Sequence, residues 1–187
     1  MSLPIASAVA MLVNTVHMSD AFNSSSSQAF NHVHICFVCT GNICRSPMAE
    51  VIAHDALEAA GLEDLTRTSS CGLGGWHAGQ KADERTIAEL RQFGHDGDFH
   101  RAAKLGPDHL GADIFIAMDD SHVDGLLAEG VSPQRIHMMR SFDPQSPEGA
   151  NVEDPYYGSQ ADFSRTREEI EASVPGLIDW VKDLVRS

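Results

Sequence analysis

The stretch Val33-His34-Ile35-Cys36-Phe37-Val38 runs straight into Cys39-Thr40-Gly41-Asn42-Ile43-Cys44-Arg45-Ser46-Pro47, and Met48, Ile52, Ala56 and Ala59 then follow at helical spacing. The first part is the short β-branched run expected of a parallel strand buried on both faces. The last part is one face of a helix closed by Gly61, with Ser46 as the expected N-cap and Pro47 as the first helical residue. Strand, tight loop and helix in this order commit the chain to an α/β unit. The alternation then recurs. A strand is expected near 67–71, a Gly-rich loop over 72–79, and a helix from about 83 to 93 closed by Gly94. A third strand at 114–118 feeds a helix after Asp119-Asp120-Ser121, and a fourth at 135–139 follows the Ser132-Pro133 turn. The C-terminal helix is expected over 162–185, kinked or divided at Pro175, which lacks a donor N–H. The reading is a four-stranded parallel sheet with helices on both faces, whose ligands sit beyond the carboxyl ends of the strands. The loop after strand one is therefore the first place to seek a site.

Length and charge narrow the function. A chain of 187 residues holds one domain and a modest tail. Residues 1–30 contain no Lys or Arg and include the run Ser24-Ser25-Ser26-Ser27, so they read as a disordered tail ahead of a folded domain at 31–187. The tail lacks the positively charged start of a secretory signal, and Met18 offers an alternative translation start. Its longest apolar run, 5–13, falls well short of the roughly 20 residues a membrane span needs. A net charge of −14 disfavours nucleic acid and anionic membrane as partners. An anionic substrate must therefore meet a local cationic pocket. Four cysteines in a chain of this length suit a reducing compartment, so a cytoplasmic location is expected, with export left open.

The first loop carries the chemistry. A helix N-terminus after a Gly-containing turn aims backbone N–H groups at one point, which makes a nest for a phosphate-sized anion. The same donors stabilise a thiolate, so Cys39 is the candidate nucleophile. Arg45 offers a planar fork able to take two phosphoryl oxygens, and the Ser46 hydroxyl can donate to the sulfur. Cys-x5-Arg alone is short enough to arise by chance, and most cysteines are small buried apolar residues. Its position between a strand and a helix favours the functional reading. A phosphate ester also needs an acid for its leaving group. Asp154, stiffened by Pro155 and followed by Tyr156 and Tyr157, is the candidate; on the residues alone, an acidic surface turn fits equally well. The paired tyrosines would wall a slot for an aromatic ring.

These residues resemble the low-molecular-weight protein tyrosine phosphatases, over 33–185. The likeness rests on Val38 to Glu50, on Gly75-Trp76-His77 with Ala82-Asp83-Glu84-Arg85, and on Asp154-Pro155-Tyr156-Tyr157-Gly158. Arg140-Ser141-Phe142-Asp143-Pro144 and Val152-Glu153-Asp154 are most like the actinobacterial branch. The resemblance implies hydrolysis of protein phosphotyrosine without metal or cofactor, through a phosphocysteine on Cys39. Arg45 would clamp the phosphoryl group and Asp154 would act as general acid and then base. The phosphate-binding loop would comprise Thr40, Gly41, Asn42, Ile43, Cys44 and Ser46, with Asn42 and Ser46 supporting the thiolate and Trp76, Tyr156 and Tyr157 lining the mouth. It also implies a reversible Cys39–Cys44 disulfide. The expected partner is a phosphotyrosine-containing protein, and the expected assembly is a monomer or weak dimer. Cys71 and the long N-terminal segment depart from the family pattern without touching the chemistry.

Competing readings fit less well. Cys36-x-x-Cys39 formally spells a redox motif, but Cys36 lies inside a strand and reads as core. An arsenate reductase needs two further relay cysteines, and only Cys71 follows the loop. A noncatalytic anion-binding module has no use for a nucleophile and an acid together. Protein-arginine phosphatases share everything but the pocket; in those relatives a Thr stands at the position of Ile43, so the apolar residue favours an aryl phosphate. None of the ten histidines has convincing metal-ligand spacing, and His77 reads as a loop hydrogen-bonder.

Overall fold

β1 (Val33–Cys39) is an inner strand of a wholly parallel sheet ordered β2-β1-β3-β4, with β2 at Thr66–Gly72, β3 at Ile114–Ala117 and β4 at Ile136–Met138. This computed structural model describes residues 32–186; the expected tail at 1–30 and the alternative start at Met18 lie outside the described residues. The chain steps from β1 to β2 on one side and then crosses to β3 on the other, so the connections leaving β1 and β3 part company. A crevice at the carboxyl ends results, the usual ligand position in doubly wound sheets. Five α-helices connect and cover the strands: α1 (Arg45–Ala59), α2 (Glu84–Gln92), α3 (Pro107–Leu110), α4 (Asp120–Ala128) and α5 (Gln160–Leu184).

Side chains alternate along β1 and divide the core into two layers. Ile35, Phe37 and Cys39 face α1 and α5, where they join Met48, Ile52, Leu57, Phe163, Ile170 and Leu177. Cys36 and Val38 point the other way, into a cluster with Cys71, Phe115, Leu126 and Val131. Each large apolar side chain fully buried in this way is worth about 1.5–3 kcal/mol. The alternation also disposes of Cys36-x-x-Cys39 as a redox pair. The two thiols leave β1 on opposite faces, and Cys36 lies instead 3.6 Å from Cys71.

Two helix expectations are corrected. Helix α1 begins at Arg45 with Cys44 as its N-cap, so Ser46 does not cap it. The first intrahelical bond runs from the Met48 N–H to the Cys44 carbonyl at 3.2 Å. Pro47 therefore stands at the third helical position, still within the first turn, where N–H groups have no intrahelical acceptor. Helix α5 runs through Pro175 undivided for 25 residues. Burial of Val174, Leu177 and Ile178 on either side outweighs the hydrogen bond that proline forgoes. Gly176 then lets the backbone of the turn at Met139–Phe142 come close; a Cβ there would lie 2.1 Å from the Phe142 carbonyl oxygen.

Candidate active site

The loop from Cys39 to Ser46 turns back on itself because Asn42 adopts φ 57°, the only positive φ of a non-glycine among the described residues. Asparagine tolerates this region better than most residues, and here every polar group of its side chain is tied down. The Asn42 amide donates to Ser46 Oγ at 2.9 Å and Ser70 Oγ at 2.8 Å, while its Oδ1 accepts from the Ala103 N–H at 2.8 Å. Its carbonyl pairs with His100 Nε2 at 2.9 Å, and Ser70 in turn donates to Glu50 at 2.6 Å. Backbone strain of this kind persists only where the surroundings over-determine it.

The curled loop delivers two donors to one sulfur. Asn42 N–H lies 3.3 Å and the Ser46 hydroxyl 3.0 Å from Cys39 Sγ. Both stabilise negative charge on that atom. Ser46 thus has one of its two expected roles, as donor to the sulfur and not as helix cap. Cys44 differs in kind: burial, followed by the nearby Asp83 carboxylate, pushes its thiol up to about 12. It stays protonated at neutral pH.

Arg45, nearly buried, is held from both sides. Its Nη1 donates to Asp119 Oδ2 at 2.6 Å and to the Val152 carbonyl at 3.3 Å. Its Nη2 donates to Asp154 Oδ2 at 2.5 Å and to Thr40 Oγ1 at 3.2 Å. Asp119, the N-cap of α4, stands at the end of β3, so its pairing with Arg45 bridges the crevice. Burial raises the Asp119 carboxyl, but the Ser121 hydroxyl, His122 and Arg45 together outweigh it and hold the group below the ordinary range. His122, pushed down to about 4 chiefly by burial, is neutral at pH 7 and reaches Thr40 Oγ1 through Nε2 at 3.0 Å.

Asp154 reaches this point from a long connection that is pinned along its length. The Val152 N–H donates to the Met118 carbonyl at 2.8 Å, Arg140 donates to the Asn151 carbonyl at 3.1 Å, and Thr166 on α5 donates to the Glu153 carbonyl at 3.2 Å. Beyond it, Arg85 of α2 donates to the carbonyls of Tyr156 at 3.0 Å and Gly158 at 3.1 Å. The Asp154 side chain is 46 % exposed, open to anything entering the crevice.

A pocket of about 210 Å³ gathers Cys39, Thr40, Gly41, Ile43, Cys44, Arg45, Asp154, Trp76, Tyr156 and Tyr157. The residues expected as loop, clamp, acid and pocket wall thus meet in one place. Asn42 and Ser46 lie beneath it, fully buried. The Trp76 ring lies against Gly74, where a Cβ would fall 1.8 Å from it. Tyr157 stands edge-on to Tyr156 at 4.9 Å. His77 bonds Gln80 at 3.0 Å, the expected loop role, and also lines the pocket. Among the described residues no group of three His, Cys, Asp or Glu is placed to hold a metal ion.

Asp119, His122, His100 and Ser70 join the site without being among the residues expected there. Asp119-x-x-His122 carries a local signal, a carboxylate capping a helix with a hydrogen-bonding residue three places on. His100 and Ser70 carry none, because their partners come from other elements.

The profile of the low molecular weight phosphotyrosine protein phosphatase family matches residues 34–187. A low molecular weight protein-tyrosine phosphatase A of Mycobacterium tuberculosis is 49% identical over 152 residues, covering 81% of this chain and 93% of that protein. A low molecular weight protein-tyrosine-phosphatase of Streptomyces coelicolor is 39% identical over 156 residues, with 81% and 94% covered. Among solved structures, a protein tyrosine phosphatase from Entamoeba histolytica superposes with a TM-score of 0.75 at 29% identity, over 81% of this chain and 97% of that one.

Proposed function

We propose, from the premise that this chain belongs to the low molecular weight phosphotyrosine protein phosphatase family, a residue-by-residue account of how it hydrolyses protein phosphotyrosine. The observation that carries the account is the meeting of two hydrogen-bond donors on Cys39 Sγ in the pocket that also holds Arg45 and Asp154. In the free protein Asp154 occupies Nη2 of Arg45, while Nη1 is held by Asp119. An entering phosphoryl dianion takes the Nη2 edge and displaces Asp154; freed of the guanidinium and set beside the dianion, that carboxylate takes up a proton from solvent and holds it toward the leaving oxygen. The Cys39 thiolate attacks phosphorus in line as the P–O bond to the ring breaks, and the Asp154 proton goes to the departing phenolate. Water, deprotonated by Asp154, then breaks the P–S bond. Phosphate leaves, and the sulfur charge returns to the Ser46 and Asn42 donors.

Ile43, Trp76 and Tyr156 favour an aryl ester. An apolar side chain in the loop offers nothing to a guanidinium, and flat walls gain from contact with a ring. Phosphotyrosine also carries its phosphorus far enough from the backbone to reach a recessed sulfur. Phosphoserine and phosphothreonine fall short.

Asp154→Asn tests the acid. Turnover of phenyl phosphate should fall by about 10²-fold or more, and that of p-nitrophenyl phosphate by much less, because nitrophenolate departs with little protonation. An equal loss on both would make Asp154 an anchor for Arg45 and nothing more.

Cys44 is the proposed redox partner, since it shares the pocket and the sheet face of Cys39. Peroxide oxidises the Cys39 thiolate to a sulfenic acid, and the Cys44 thiol displaces water from it to close the disulfide. Mass spectrometry after mild peroxide should show Cys39 joined to Cys44, with activity restored by dithiothreitol. A Cys36–Cys71 crosslink in its place would overturn the pairing.

Four free thiols support a reducing, cytoplasmic setting, and a monomer or weak dimer is the assembly we infer with it. No helix among the described residues is long and apolar enough to cross a membrane.

A further inference from the structure

Trp76 is a ridge with a space on either side. One is the catalytic pocket. The other is an open groove lined by Thr40, Leu73, Gly74, Lys104, Ser121 and His122, which shares Thr40 and Trp76 with the pocket. Lys104 is fixed there at two levels. Its backbone bridges to Gly72 at the end of β2, and its stem lies against Gly75, where a Cβ would come within 3.3 Å of Lys104 Cδ.

The charge on Lys104 is uncommitted. Of the three lysines in the chain, Lys81 pairs with Asp98 at 3.3 Å and Lys182 with Asp179 at 3.0 Å. The ammonium of Lys104 has no hydrogen bond or ion pair among the described residues. The other polar lining groups do not neutralise it, since His122 is uncharged at pH 7 and Ser121 is engaged with Asp119. A second open groove, which meets the first at Ser121, is lined by Arg45 with Asp119, Asp120, Glu153 and Asp154; Asp119 and Asp154 are paired with Arg45, which leaves Asp120 and Glu153 as its uncompensated charges. The mouth is therefore bipolar, in a protein of net charge −14 whose general field repels acidic ligands.

We propose that the Lys104 groove is a substrate subsite that receives an acidic side chain one or two residues from the phosphotyrosine of the bound peptide. The proposal rests on the phosphatase reading above. With the phosphorylated ring in the pocket, the peptide crosses Trp76 on one flank only, so a carboxylate is favoured on that flank and disfavoured on the acidic side. Recognition is by charge, and its effect falls on KM and not on kcat.

The test uses one phosphotyrosine peptide frame with Glu, Ala or Lys placed in turn at the two positions on each flank, assayed beside free phosphotyrosine. In the wild type, Glu on one flank should lower KM about two- to fivefold relative to Ala, the scale of an exposed ion pair, and Lys there should raise it. The preference should shrink as salt rises toward 0.5 M. Lys104→Met should level the three peptides while turning over free phosphotyrosine as the wild type does, and Lys104→Glu should invert the order. Equal KM for the three peptides at every position, or a Lys104→Met loss that is the same for peptides and free phosphotyrosine, would overturn the subsite alone. A wild type inert toward free phosphotyrosine overturns the phosphatase reading and this inference with it.

Discussion

Cys39→Ser should reduce phosphotyrosine turnover by on the order of 10⁴-fold or more, the scale of loss when a nucleophile is removed. The reason lies in the two donors at the sulfur. Ser46 at 3.0 Å and Asn42 N–H at 3.3 Å face an atom that forms an anion far more readily as a thiol sulfur than as an alcohol oxygen. Everything else in the pocket survives the exchange. Oxygen is smaller than sulfur, the site is buried, and Asn42 remains anchored to Ser70 and Ala103. Phosphate and vanadate should therefore still bind, measured by calorimetry, and the melting temperature should stay close to that of the wild type. Turnover within tenfold of wild type, with binding intact, would refute a covalent phosphocysteine.

The same substitution marks how far the residues alone reach. Cys39, Arg45 and the loop between them are legible because strand, turn and helix are local patterns, each complete within a dozen residues. β1 and β3 are legible for the same reason, as apolar or β-branched runs between turns, whereas the polar β2, Thr66-Arg67-Thr68-Ser69-Ser70-Cys71-Gly72, is placed only by the alternation of strand and helix. What escapes is nonlocal. His100 and Asn42 are 58 residues apart, and Thr40 and His122 are 82 apart, separations at which no periodicity links the partners. The start of α1 shows a different failure. Ser46-Pro47 is a sound capping pair by propensity, but the loop draws the Ser46 hydroxyl toward Cys39 and Asn42, and the helix starts two residues earlier, with Cys44 at the N-cap position and no side-chain cap. Pro175 shows a third. A local breaker is overridden where buried residues on both sides of it hold the helix together. Asp154 lies between these cases, since its Pro-Tyr-Tyr context is visible but the contact that gives it meaning, with Arg45, spans 109 residues.

Arg45→Lys should lower kcat/KM for phosphotyrosine by about 10³-fold, and the loss should fall on both kcat and KM. The guanidinium works here because its edges are separate. Nη1 is spent on Asp119 and the Val152 carbonyl, which fixes the plane of the group, and Nη2 is thereby presented to the pocket. A lysine has one nitrogen for both tasks. Two carboxylates flank it, Asp119 on one side and Asp154 on the other, and a point charge between them is captured by one of them. The phosphoryl group is then left with the loop donors alone, and an unreleased Asp154 stays away from the leaving oxygen. Calorimetry should show phosphate binding weakened in Arg45→Lys but preserved in Cys39→Ser, which separates a lost clamp from a lost nucleophile. The half-buried Asp119 also loses part of its pairing, so some fall in melting temperature is expected in the lysine variant; that fall cannot by itself explain weak phosphate affinity at a temperature where the protein remains folded. Phosphate affinity equal to wild type in Arg45→Lys would mean that the loop N–H groups hold the anion unaided and that Arg45 serves chiefly to join the ends of β1 and β3.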